Sequence, residues 1–286
     1  MRTDTRRRRP VLRTLSAGAQ GLLFVAVLVI SIVPVYWAVL TSLKAPNEIF
    51  RFPPALAGFE PTLQHYETIL NDGFMDTIWN SMGYSAIAVV LGVLVGFLAA
   101  YGMQRFEFRF KRLVFFLVVA CIPLSIGSAA LLIPNYVFMS QLGLIDKWYT
   151  LAILFTAYNL PMAIWICRSG VESVPIEIEE SAMIDGCSRG YIMFGIVFRL
   201  MLPSVASAAL FIFIGAWNEF ILAAVMVNSK ALMPVQVAIY NYLGFFGQQW
   251  GPLTASASLA IVPTLIIFTL LGRMLVSGLT QGAVKG

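Results

Sequence analysis

The strongest constraint on this chain is a series of long, nearly uncharged apolar stretches, each able to cross a bilayer. A hydrocarbon core of about 30 Å needs about 20 apolar residues of helix, and such spans occur at 18–43, 78–103, 113–139, 150–167, 200–227 and 254–276. Their apolar residues run on without alternating, which selects helices over a membrane barrel. Backbone in lipid has to satisfy its own hydrogen bonds, and a helix does so within one segment. Composition agrees, with 59% hydrophobic and 12% charged residues against about 25% charged in soluble domains. The expected fold class is an all-α membrane protein of about six transmembrane helices. A basic tail at 1–17 precedes a membrane domain at 18–286.

Charge sets the orientation. If the N-terminus is cytoplasmic, Lys44, Arg51, Lys147 and Lys230 are the only basic residues outside, out of 19 in the chain. Cytoplasmic loops of membrane proteins are enriched in Lys and Arg, so both termini are expected in the cytoplasm. The same helix-flanking bias accounts for the net charge of +5, and nucleic-acid binding is not expected. The first apolar run exceeds the usual signal-peptide core of about 7–15 residues and reads as a retained helix. Pro34, Pro123, Pro134, Pro161 and Pro263 fall inside spans, where proline frees a carbonyl and bends the helix.

Acidic residues are scarce, yet Glu172, Glu177, Glu179, Glu180 and Asp185 gather in the loop between the fourth and fifth spans. Pro175 suits the first turn of a helix, the glutamates after it suit the positive end of the helix dipole, and Gly186 suits its end. Acids interleaved with Ile176, Met183 and Cys187 make a face too mixed to lie on lipid. Such a helix fits a groove on another protein; the alternative is a solvated helical connector.

Within this loop the run Ile178-Glu179-Glu180-Ser181-Ala182-Met183-Ile184-Asp185-Gly186-Cys187-Ser188 resembles the EAA motif of ATP-binding-cassette import permeases in its carbohydrate-type form. The resemblance continues in Leu43-Lys44-Ala45-Pro46, Pro53-Pro54, Tyr66, Asn80-Ser81, Trp217-Asn218-Glu219-Phe220 and the tail from Gly278 to Gly286. That tail is similar to the smaller, maltose-type G subunit. It implies a cytoplasmic coupling helix between helices four and five, with Glu179, Glu180, Ser181, Ala182, Asp185 and Gly186 as the ATPase-docking residues. It also implies a second permease subunit forming a heterodimer, a cytoplasmic ATPase dimer, and an extracytoplasmic solute-binding protein. The implied setting is a bacterial or archaeal cytoplasmic (inner) membrane, with import of a sugar, oligosaccharide or polyol derivative by alternating access. Two departures are small residues for small, Ser181 and Cys187 where alanine is usual. The third is a Gly186-to-Pro203 interval longer than usual by about one helical turn of ~3.6 residues.

No GxxxxGK[ST] occurs, so ATP hydrolysis is expected on a partner chain. Glu219 is the one acid inside an expected span, and burying it costs at least about 2.5 kcal/mol. Asn218 and Glu219 are therefore candidates for the translocation path; the alternative is a hydrogen bond from Glu219 to a neighbouring helix. Trp79, Trp148, Trp217 and Trp250 read mainly as interface anchors. The single histidine, His65, has no acid or cysteine cluster around it, so no metal site, cofactor or catalytic centre is expected. A secondary transporter or channel is the competing reading, and it would need ion-coupling acids or a repeated architecture.

Overall fold

A computed structural model describes residues 8–55, 58–123, 131–244 and 249–283. Among them the regular elements are all helical. In chain order they are α1 (Arg8–Ser42), α2 (Gln64–Asn71), α3 (Phe74–Arg105), α4 (Lys111–Ala120), α5 (Leu132–Gln141) and α6 (Trp148–Glu172). There follow α7 (Ile176–Ile184), α8 (Arg189–Leu200), α9 (Leu202–Trp217), α10 (Ile221–Met226), α11 (Val235–Asn241) and α12 (Trp250–Ala283).

Four helices are each long and apolar enough to cross a membrane: Gln20–Ser42 within α1, α3, α6, and Trp250–Gly272 within α12. They match the expected first, second, fourth and sixth spans. The helix expected from residue 18 already begins at Arg8, so part of the basic tail is helical. For the span expected at 113–139 the structure describes α4 and α5, while 124–130 lie outside the described residues.

The expected fifth span, 200–227, is not one helix. Its first part, α9, meets α8 at a 77° bend around Met201, where Pro203 occupies the first turn and supplies no backbone donor. Its far end breaks at Asn218, and α10 restarts at Ile221. Within the Gly186-to-Pro203 interval, residues Ile192–Val197 wind as a π-helix, a wider i→i+5 turn inside one helical segment.

The core is built where α3, α6 and α9 meet. In lipid, helices approach through small residues, and the contacts show it. A Cβ on Gly96 would stand 3.1 Å from the Ala163 Cβ, and one on Gly170 would stand 2.6 Å from the Ser204 Cβ. Tyr84 meets Phe155 edge-on, and Arg105 reaches the end of α6, so α3 and α6 run parallel and α9 runs against them. Phe97 is fully buried and packs on Phe194 and Phe198, tying α8 to α3. By contrast, none of the apolar stretch of α1 is buried inside this chain, leaving it for lipid or a partner. Trp79, Trp148 and Trp250 are exposed as anchors would be, but Trp217 is only 2% exposed and stacks on Phe213, so it is a core residue.

Candidate functional site

The acidic loop folds as expected into a short helix. Pro175 stands just before α7, where a missing N–H costs nothing, and Glu177 and Glu179 lie in the first turn. The end is a Schellman turn: the Cys187 N–H donates to the Ala182 carbonyl at 3.0 Å, and the Gly186 N–H to the Met183 carbonyl at 3.1 Å. Gly186 has φ +83°, a conformation that only glycine adopts without steric cost.

The six residues expected at the docking site divide between two faces. Glu180, Ser181, Asp185 and Gly186 are exposed, together with Ile184 at 87%. Glu179 and Ala182 turn inward and are buried. The Glu179 carboxylate accepts from Arg105 Nε at 2.5 Å and from the Tyr101 hydroxyl at 2.8 Å. Arg105 also donates to the Val171 and Val174 carbonyls at 3.1 and 2.7 Å, adding to the Val174 N–H at the first and satisfying the second just past the end of α6. Arg105 thus joins the last turns of α3 and α6 to α7. In the sequence it reads only as one more cytoplasmic cation; its partner is 74 positions away.

Asn218 and Glu219 come together at the far end of α9, beside a cavity of about 370 Å³. Tyr158 and Asn159 from α6 add polar groups to a lining that is otherwise mainly apolar, and Gly215 of α9 faces it too. Glu219 accepts from the Leu222 N–H at 2.9 Å and so caps the start of α10. Asn159 donates to the Phe155 carbonyl at 2.8 Å, and Asn135 donates to the Tyr158 hydroxyl. Tyr158 and Asn159 have no sequence signature beyond being polar in an apolar span, a signal that finds both.

The broken end of α9 is held from two sides. Asn80 donates to the Ala231 carbonyl, Tyr84 to the Leu232 carbonyl, and the Val235 N–H to Ser81 Oγ, so the Asn80-Ser81 pair fixes the segment that follows α10. Opposite, Asp146 accepts from the Ser229 N–H and Oγ and from the Asn228 N–H. Those bonds, the Ser229 backbone first, hold its carboxyl below the ordinary carboxylate range. Burial and then Asp72, which accepts from its hydroxyl, push the Tyr242 phenol up to about 12. His65 is buried, with Nε2 at 2.9 Å from the Lys44 carbonyl. The described residues hold no metal-binding group of three or more His, Cys, Asp or Glu.

A helical membrane core carrying an exposed acidic helix on one side and, towards the other, a mainly apolar cavity edged by a few polar groups has the form of a transport subunit. The chain belongs to the family of binding-protein-dependent transport system inner membrane components, whose model matches residues 88–281. It is 32% identical over 260 residues to the sulfoquinovosyl glycerol transport system permease protein of Agrobacterium fabrum, covering 91% of this chain and 90% of that one. It is 31% identical over 264 residues to the trehalose/maltose transport system permease protein of Thermococcus litoralis, covering 90% and 93%. The fold is also that of a chain in the crystal structure of a bacterial ABC transporter importing the acidic polysaccharide alginate. That match has a TM-score of 0.74 at 20% identity, over 95% of this chain and 99% of that one.

Proposed function

We propose that this chain is one of two membrane subunits of an ATP-binding-cassette importer for a sugar, oligosaccharide or polyol derivative. The observation that carries the cargo class is the run of relatives. The permeases named for sulfoquinovosyl glycerol, diacetylchitobiose and trehalose are each 31–32% identical to it over about nine-tenths of its length. The cavity fits that class, since hydroxyl-rich cargo is met by paired donors and acceptors such as Asn159, Asn218 and Tyr158.

In this reading the membrane domain has six spans with both termini in the cytoplasm, the basic excess lying inside. The exposed face of α7, with Glu180, Ser181, Asp185 and Gly186, seats in a groove of a separate ATPase. A binding protein delivers cargo to the opposite side. Asn218 and Glu219 line the path near that side, and closure of the ATPase pair drives alternating access.

Reconstitution tests this reading. Purified with the co-encoded ATPase, second permease and binding protein, the chain is expected to support ATP-dependent uptake of the sugar bound by that binding protein. Glu180→Ala combined with Gly186→Val is expected to remove the ATPase from the purified complex. Full ATPase retention and full uptake in that variant overturn the docking role; uptake without ATP overturns the importer class.

A further inference from the structure

If α7 receives the motion of the ATPase, two routes lead from it into the membrane. One follows the chain through α8 to α9. That route is mechanically broken, by Gly186 at φ +83°, by the π-helical turn Ile192–Val197, and by the 77° bend at Met201. Each is a place where a helix yields instead of pushing.

The other route crosses space. Glu179, Arg105 and Tyr101 form a compact polar joint, with the two ionic side chains only 5% and 12% exposed. Arg105 spends its donors on Glu179 and on carbonyls at and just past the end of α6. Removing Arg105 leaves the buried Glu179 carboxylate without its cation and the Val174 carbonyl without its donor, the costly half of any buried ion pair. So α7 cannot slide relative to α3 and α6 without breaking it. A small cavity of about 90 Å³ lies beside the joint, walled also by Glu180 and Arg189.

Resting on the docking role proposed for α7, we propose that Arg105, Glu179 and Tyr101 are positioning residues that transmit ATPase closure directly into α3 and α6. Glu179 then belongs to the transmission and Glu180 to the docking, although they are adjacent in the sequence. The packing of Phe97 on Phe194 and Phe198 ties α8 to α3, so the two move together.

The test uses the assembled complex, with the three cysteines replaced and spin labels at Trp79→Cys and Trp148→Cys. These exposed positions lie at the ends of α3 and α6 opposite the joint. Two readouts are taken, ATPase retained on the purified complex and the change in spin–spin distance on trapping with ATP and vanadate. Glu179→Gln and Arg105→Met are expected to retain the ATPase at the parent level while the trapped population falls about tenfold, within the usual span of coupling between sites. Tyr101→Phe, which removes one hydroxyl and leaves the fold intact, is expected to lower it about threefold. Glu179→Gln is expected to cost nothing further in the Arg105→Met background, because the two act as one joint. A parent-level distance change in both single variants overturns the proposal, as does full additivity or a parent complex in which the distance never changes. Loss of the ATPase from Glu179→Gln also overturns it, by making the residue part of the docking seat. Full ATPase retention and a full distance change in Glu180→Ala strike instead at the docking role of α7.

Discussion

Gly215→Ala is the most demanding perturbation of the cavity. A Cβ built on Gly215 would lie 2.2 Å from Asn159 Oδ1 and 3.1 Å from its Cγ, whereas non-bonded heavy atoms rest at about 3.5–4.0 Å. Asn159 therefore has to swing its amide away by more than ~1 Å, towards the cavity it lines, which strains or breaks its bond to the Phe155 carbonyl at 2.8 Å. Overpacking of this kind costs about 1–3 kcal/mol, and the lost hydrogen bond adds about 0.5–1.5 kcal/mol. Thermal unfolding of the detergent-purified complex should show a clear drop in Tm, and uptake should fall with it. The double variant Gly215→Ala with Asn159→Ala removes the clash and should regain most of the stability. If Asn159 lines the path, uptake stays low. A Gly215→Ala variant as stable as the parent would refute the steric argument, and full uptake in the stable double variant would refute the role of Asn159.

Three further outcomes follow from other contacts. Glu219→Ala removes the cap of α10 and should cost about 0.5–2 kcal/mol, read as a lower Tm, while Glu219→Gln keeps an acceptor and should retain most of that stability. Gly186→Val places a β-branched residue at φ +83° and should destabilise the end of α7 by at least about 1 kcal/mol; Gly186→Asn, tolerant of that conformation, should lose less in thermal unfolding. Asp146 binds its proton less tightly in the folded chain than in the unfolded one. Its contribution is thus complete above the ordinary carboxylate value of about 3.9, and it is lost as the pH falls through the lower folded value. Asp146→Asn should flatten that acid limb in Tm measured against pH.

What the sequence reveals follows the range of the forces involved. Apolar runs, a proline before α7 and a glycine after it are local signals, and they locate the membrane helices and both ends of the acidic helix. The break at Asn218 is not local: α10 restarts because Glu219 caps it, and because Asp146 and the Asn80-Ser81 pair hold the following segment from 82 or more positions away. Trp217 carries the pattern of an interface tryptophan but stacks on Phe213 one turn earlier, inside the bundle. In the candidate site, Glu179 and Glu180 are indistinguishable as adjacent acids. Only the arrival of Arg105 from the end of α3 assigns one to the inner face and leaves the other outside.

The central claim, that α7 is the contact between this chain and an ATPase, is tested most directly by cross-linking along that helix. In the chain without its own cysteines, single cysteines are placed at Ser181 and Ile184 on the outer face and at Ala182 on the inner face. Each is treated in the assembled complex with a short photoactivated maleimide. The account predicts a cross-link to the ATPase from Ser181→Cys and Ile184→Cys and none from Ala182→Cys. An uptake-competent complex in which neither outer position reaches the ATPase would contradict it.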